Sequence, residues 1–438
     1  MFLKFLLFFN LMFDVNELHF DFLQTGIPAV APINIIFLLI IWQLRTKPEI
    51  IGPEVRGILR QPLLIWFGMI TLGFIISELR GTDRFLEEVT YYKNALFYPL
   101  YYFIYLRCRQ DQKTTRWLII WILVIAAVAG LEGLREGLDF GFGKYRPDKR
   151  ASGPFGKDWA NANRAGVFYA MFMPMFISLA LFLRKRLLWR LAAIGGCILI
   201  AGGAISTYSR QAYGMIVLSL ALLLVRKNIV VAALVAVMAG TLVTYLPDAA
   251  TQRVEETSQK NKAHGDVDAS TASRWEIWAA GMEMFKDHPL GVGFHKFSYE
   301  IGNYSSMYKG YDAHNFYVLT LCENGPQTLA AYIFVLFTLF RIAAFLRTNL
   351  PADDPEGRAL AYGFTITTLC VAIGGLYGSP IFEGPVMGPY WALCGLLERY
   401  THMLMNTNRV SDEAPPPEPS LADRFPLVAH ILPGKARP

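Results

Sequence analysis

The chain has 438 residues, 41 Lys and Arg against 35 Asp and Glu, and a formal net charge of +6. Hydrophobic residues make up 54% and charged residues only 17%, against roughly a quarter charged in soluble domains. With a mean hydropathy of +0.33, this excludes a string of soluble domains and implies a lipid bilayer rather than nucleic acid as the surrounding partner.

The apolar runs predict an all-α, polytopic membrane protein with about 12 transmembrane helices and a large helical outer loop. The first run, 2–13, is short, but no small-residue cleavage site follows, so it reads as a retained helix. Further helices are expected over 27–43, 62–79, 94–107, 116–131, 163–183, 187–206, 211–225 and 229–246. Several approach the ~20 residues that cross a hydrocarbon core. After a long polar segment come 315–346, long enough to begin outside the bilayer, then 359–378 and 386–400. The chain thus divides into N-terminal helices over 1–246, an outer loop over 247–313, C-terminal helices over 314–400 and a tail over 401–438. The tail is polar and Pro-rich ("SDEAPPPEPS") and reads as disordered and cytoplasmic.

Charge orients the helices. The connections 44–61, 107–116, 184–190, 226–228 and 341–358 are rich in Lys and Arg, whereas 14–26, 207–210 and 379–385 are nearly devoid of them. The positive-inside rule makes the first set cytoplasmic and, with an even helix count, both termini too. The segments 132–163 and 247–313 then lie outside. Both carry basic residues, which long translocated loops tolerate. Cys108, Cys197, Cys322, Cys370 and Cys394 are scattered, without CxxC or HExxH spacing, so neither a metal site nor a cofactor is expected.

Three outer segments collect polar residues. In "GPFGKDWANANRAGVFYAMFMP" (153–174), Asn161, Asn163 and Arg164 open a helix, with Lys157 and Arg150 nearby. Asn161 is equally explained as an N-cap. In "STYSRQAYG" (206–214), Arg210 stands between two apolar helices. An arginine near membrane depth is costly and marks function, unless it snorkels to the interface. The third segment, "TASRWEIWAAGMEMFKDHPLGVGFHKFSYE" (271–300), predicts an amphipathic helix starting near Thr271 or Ser273. Trp275, Trp278, Ala279, Met282 and Phe285 form its stripe, and Pro289, Gly291 and Gly293 stop it. Arg274 falls in its first turn, where a cation gains nothing from the helix dipole.

Arg164, Arg210 and Arg274 come from separate segments on one face, and guanidinium groups suit phosphate oxygens. His314, in "YDAHNFYVLTLCENG", lies on the same face. Its ordinary pKa, ~6.5, suits a general base; the alternative is a residue that merely starts a helix. His264, His288 and His295 read as loop or turn residues.

In order and spacing, these blocks resemble the O-antigen ligase and O-antigen polymerase superfamily of bacterial membrane glycosyltransferases. The resemblance rests on "GPFGKDWANANRAGVFYAMFMP", on "STYSRQAYG", and on "SRWEIWAAGMEMFKDHPLGVGFHKF" followed by "AHNFYVLTLCENG". It departs in "ENGPQTL", where Pro326 stands and a second glycine is missing. The resemblance implies an inner-membrane enzyme that transfers a glycan, without metal, from an undecaprenyl diphosphate carrier. The acceptor is a hydroxyl of a glycan or of lipid A–core at the periplasmic face. It makes Arg210 and Arg274 ligands of the diphosphate and His314 the group that activates the acceptor. Asn315, Trp278, Arg164, Asn161, Asn163 and Lys157 would support substrate binding. Ligase and polymerase activities share these needs, with a slight lean to the ligase. A transporter of an anionic lipid is disfavoured, because the polar residues gather at one face and no two halves are alike.

Overall fold

The computed structural model describes residues 1–16, 32–46, 55–81, 84–141, 146, 148–156, 161–183, 186–230, 232–233, 269–351 and 354–412. Most of the helix expected over 229–246, the first part of the outer loop, Lys157 and most of the tail lie outside these residues.

The described chain is all helical. Before the outer loop come α1 (Phe2–Asn16), α2 (Pro32–Thr46), α3 (Arg60–Leu79), α4 (Phe85–Phe97), α5 (Leu100–Leu106), α6 (Gln112–Phe140), α7 (Ala162–Phe182), α8 (Leu187–Ser206) and α9 (Arg210–Lys227). The outer loop supplies α10 (Ala269–Asp287) and α11 (Phe297–Tyr304), and α12 (Phe316–Asn349), α13 (Pro355–Gly374) and α14 (Gly384–Asp412) follow. Six of these are long and apolar enough to cross a membrane: α3, α6, α7, α8, α12 and α13. In α7, 78% of the most apolar window is buried, against 33% in α3 and 28% in α8. Helix α7 is therefore the centre of the bundle, and α3 and α8 turn their Leu and Ile side chains outward, as lipid-facing helices do.

Local chemistry explains the departures from the expected boundaries. The run 94–107 is broken, because Pro99 has no N–H to continue the ladder; α4 and α5 follow in tandem. Helix α6 continues to Phe140, well beyond the expected residue 131. The carboxylate of Glu136, near its end, accepts the N–H groups of Ser152 (2.9 Å) and Gly153 (2.7 Å). In α10 the buried face is Ile277, Gly281 and Met284, while Trp275 and Met282 are exposed. The expected stripe is split, because Trp278 and Phe285 pack against this buried cluster while Trp275 and Met282 do not. Gly281 allows close approach to Phe297 and Cys322, and that contact decides which side turns inward. Because α10 already begins at Ala269, Arg274 lies beyond the first turn, and the dipole argument for it lapses.

The outer segment is seated by a kink in α12. Pro326 has no N–H, and Gly325 takes φ 76°, ψ 174°, so the helical ladder is interrupted. The carbonyls of Cys322 and Glu323 lose their intrahelical donors. The turn "HPLGVGF" supplies replacements: Val292 N–H to Cys322 at 2.9 Å and Gly293 N–H to Glu323 at 2.8 Å. On its other side Phe294 N–H donates to Gly73 of α3 at 3.1 Å. The glycines allow this close approach. A Cβ on Gly291 would lie 2.3 Å from the Glu323 carbonyl oxygen, and one on Gly293 would lie 2.7 Å from Ser77 Cα. A buried ion pair reinforces the contact: Lys296 Nζ is 2.9 Å from Glu88 Oε1, and Ser77 Oγ donates to Glu88 Oε2 at 2.6 Å.

Gly291→Ala therefore meets both a backbone clash and a φ of +95°. It is expected to destabilise the fold by ~2 kcal/mol or more. Thermal unfolding in detergent reads this as a lowered midpoint. Gly68→Ala, at an exposed helical position with open space around it, should cause no loss.

Candidate active site

The N-termini of α7, α9 and α12 converge on a cavity of about 490 Å³. The segment before α7 and its first turn contribute Asn161, Asn163 and Arg164, and α9 contributes Gln211. Helix α4 and the stretch into α11 contribute Glu87, Tyr91, His295 and Tyr299. Asp312 and His314 come from the approach to α12, and Tyr377 and Glu383 from the connection between α13 and α14.

The backbone of His314 is fixed on both sides. Trp278 Nε1 donates to the carbonyl of Ala313 at 2.8 Å. Asn315 caps α12, its Oδ1 accepting from Tyr317 N–H (2.9 Å) and Val318 N–H (3.1 Å). Phe316 N–H reaches the carbonyls of Gly375 (2.8 Å) and Gly378 (3.0 Å). Between them His314 takes φ +49° and donates its own N–H to Asp312 Oδ2 at 3.3 Å. A non-glycine residue held in this region is uncommon and is kept there by its surroundings. Two of the four such residues among the described ones, His295 and His314, line this cavity.

The ring of His314 remains 46% exposed, with Nδ1 3.8 Å from Asp312 Oδ2. Partial removal from water pushes its pKa below the usual 6.5; Asp312 opposes the shift and Arg274 adds to it. The imidazole is therefore neutral near pH 7, the state a base requires. Asp312 also acts on His295 and Glu383, which makes it the shared electrostatic neighbour of the site.

The three predicted arginines have different placements. Arg164 lines the cavity and pairs with Glu383 at 2.7 Å. Burial raises the Glu383 carboxyl, and Arg164 opposes the rise. Arg274 is close enough to lower the His314 pKa, and its guanidinium lies 5.5 Å from the Tyr377 ring centre. Arg210 begins α9 beside Gln211 but is not part of the lining. Gln211 Nε2 donates to the Gly374 carbonyl at 3.0 Å. Asn161 and Asn163 line the cavity, and Asn163 Oδ1 accepts from Arg150 at 2.7 Å. Arg150 is itself buried and also donates to the Thr207 carbonyl at 2.9 Å. It ties α7 to the end of α8, a structural role. Trp278 and Asn315 hold the backbone around His314.

Sequence reasoning missed Glu87, Tyr91, Gln211, His295, Tyr299, Asp312, Tyr377 and Glu383. His295 was read as a turn residue, yet its ring stacks on Tyr91 at 3.8 Å between centroids, and Nε2 is 3.4 Å from Glu87 Oε1. Its positive φ is invisible in the sequence. A sequence signal did exist for Asp312, two residues before His314.

A protein-family model described as O-antigen ligase matches residues 195–333. The matched stretch includes Arg210, Arg274, Trp278, His314, Asn315 and the kink in α12, and begins after Asn161, Asn163 and Arg164. No curated protein matches the chain. The matched stretch carries the turn seated on α12 and the histidine at the cavity, and in it this multi-pass membrane protein is similar to the O-antigen ligase family.

Proposed function

We propose that this protein is a glycosyltransferase that moves a glycan from an undecaprenyl diphosphate carrier to an acceptor hydroxyl. The reaction would take place at the periplasmic face of the inner membrane. In this reading α1, α2, the tandem α4–α5, α9 and α14 join the six long helices as further spans. The basic ends of the helices, among them Arg116, Arg186 and Arg226, face the cytoplasm.

The observation that carries the reading is His314, neutral and open to a cavity that also contains Arg164, with Arg274 beside it. His314 takes the proton of the acceptor hydroxyl as its oxygen bonds to the anomeric carbon. The bond from that carbon to the diphosphate oxygen breaks, and the diphosphate leaves with the electron pair. Asp312 stabilises the imidazolium, and Arg274 and Arg164 neutralise charge on the leaving group. Arg210, at the start of α9, is assigned to the more distant phosphate. A cavity of about 490 Å³ is in the lower half of the range for small-ligand sites. It holds the reacting sugars, and the rest of the glycan stays outside. The single histidine and the compact loop lean slightly to the ligase, and a polymerase using the same donor is the alternative. In a strain lacking the protein, long glycan retained on the carrier supports the ligase. Accumulated single repeat units support the polymerase.

His314→Ala is expected to lower transfer by ~10²–10⁴-fold, the usual contribution of a general base. Arg274→Ala should lose ~10²-fold or more, as for removal of an oxyanion donor. The assay is purified protein with lipid-linked glycan and acceptor; full activity in His314→Ala would remove the base assignment.

The pH profile gives a second test. A base works deprotonated, so the rate falls as pH drops through the His314 pKa, which lies below 6.5. Asp312 raises that pKa, so Asp312→Asn should move the acid limb to lower pH while reducing the plateau rate. An acid limb that stays in place in this variant excludes His314 as the titrating group.

A further inference from the structure

The reading above uses the arginine side of the cavity and leaves Glu87, Tyr91, His295 and Tyr299 without a task. The four form one connected unit. Tyr91 stacks on His295, and His295 meets Tyr299 edge-on at 6.0 Å. Glu87 Oε1 lies 3.4 Å from both His295 Nε2 and Tyr299 Oη. Arg84 donates to Tyr299 Oη at 3.1 Å and lies over its ring, 4.6 Å from the centroid.

Stability alone explains this unit poorly. The tyrosines of the core, such as Tyr101, Tyr102, Tyr169 and Tyr332, are at most 1% exposed, whereas Tyr91 is 40% exposed. The Glu87 side chain is 44% exposed. His295 is held at φ +62° with its ring in the cavity. The turn that carries it is fixed two residues earlier, at Gly293, and one residue later, by the Lys296–Glu88 pair. An uncommon backbone conformation kept by rigid neighbours at a cavity wall points to a ligand.

The chemistry of the wall selects the ligand. A carboxylate repels phosphate, and the neighbouring cation, Arg84, is occupied by Tyr299 and Glu87. Ring faces and edges beside a hydrogen-bond acceptor suit a molecule with apolar C–H faces and hydroxyl donors. We propose that Tyr91, His295 and Tyr299, with Glu87 as hydroxyl acceptor, form a sugar-binding subsite that selects the glycan presented to His314. This rests on the glycan-transfer reading and deepens it: the arginine side binds the diphosphate, and this wall binds a sugar ring.

The test separates the halves with two probes in a detergent lacking sugar head groups. One is bare undecaprenyl diphosphate. The other is the glycan released by mild acid from the carrier of the source strain. Tyr91→Ala and Glu87→Gln should each weaken binding of the released glycan about tenfold, ~1.4 kcal/mol, and leave binding of the bare lipid unchanged. Arg164→Ala should do the reverse. His295→Phe, which keeps the stacked ring, should retain more glycan affinity than His295→Ala. In turnover, Tyr91→Ala should raise KM for the glycan donor with kcat within about threefold. No glycan binding by the wild type, or equal weakening of both probes in Tyr91→Ala, overturns the subsite. Glycan binding without binding of undecaprenyl diphosphate would instead sink the donor assignment and leave the subsite standing.

Discussion

Two backbone carbonyls that α12 cannot satisfy hold the outer segment in place. Pro326 and Gly325 interrupt the ladder, and Cys322 and Glu323 turn to the N–H groups of Val292 and Gly293. Buried peptide groups must be paired, so the kink and the turn require each other. An apolar contact in the same place would slide; a pair of peptide hydrogen bonds fixes register. His295 and Phe297 follow directly. Phe297 N–H donates to the Glu323 side chain at 3.0 Å, which ties the start of α11 to the same turn of α12. The position of His295 in the cavity is therefore set by a proline 31 residues further along the chain.

The second constraint is electrostatic. Three helix N-termini face the cavity, and each favours negative charge. Arg164 and Arg210 stand in the first turns of α7 and α9, where the dipole opposes a cation. The dipole mismatch first noted for Arg274 belongs to these two. Glu383 offsets part of it by pairing with Arg164. Its carboxyl is raised by burial, so the pair is held against a desolvation penalty. An anionic ligand that reaches Arg164 competes with Glu383 for the guanidinium.

Much of this was legible in the sequence. The membrane class, nearly all the described helices and the histidine on the arginine face follow from hydropathy, charge placement and motif order. In α10 the apolar stripe is split, with Trp278 and Phe285 packed inward and Trp275 and Met282 exposed, and periodicity gives no sign of the close approach at Gly281. The break at Pro99 was readable from proline chemistry but was hidden inside an apolar run. The aromatic wall was not legible at all. Tyr91 and Glu87 lie in α4, roughly two hundred residues from His295, and nothing in either segment announces the other. Pro326 looked like a departure from a family pattern, yet in the fold it creates the seat for the turn.

The two histidines of the cavity differ in their surroundings. Both are neutral for the same first reason, withdrawal from water, and Asp312 acts on both. They differ in freedom. His295 is confined between Tyr91, Tyr299 and Glu87, so gaining a proton and reorienting would disturb three contacts. His314 has one carboxylate at ion-pair distance and nearly half its ring open. A general base needs a ring nitrogen within reach of the proton it takes, and a neighbouring carboxylate favours the charged ring that results. A group that must recognise a sugar needs a fixed ring. In the proposed reaction His314 therefore carries the transfer step, and the confined ring of His295 serves recognition of the sugar.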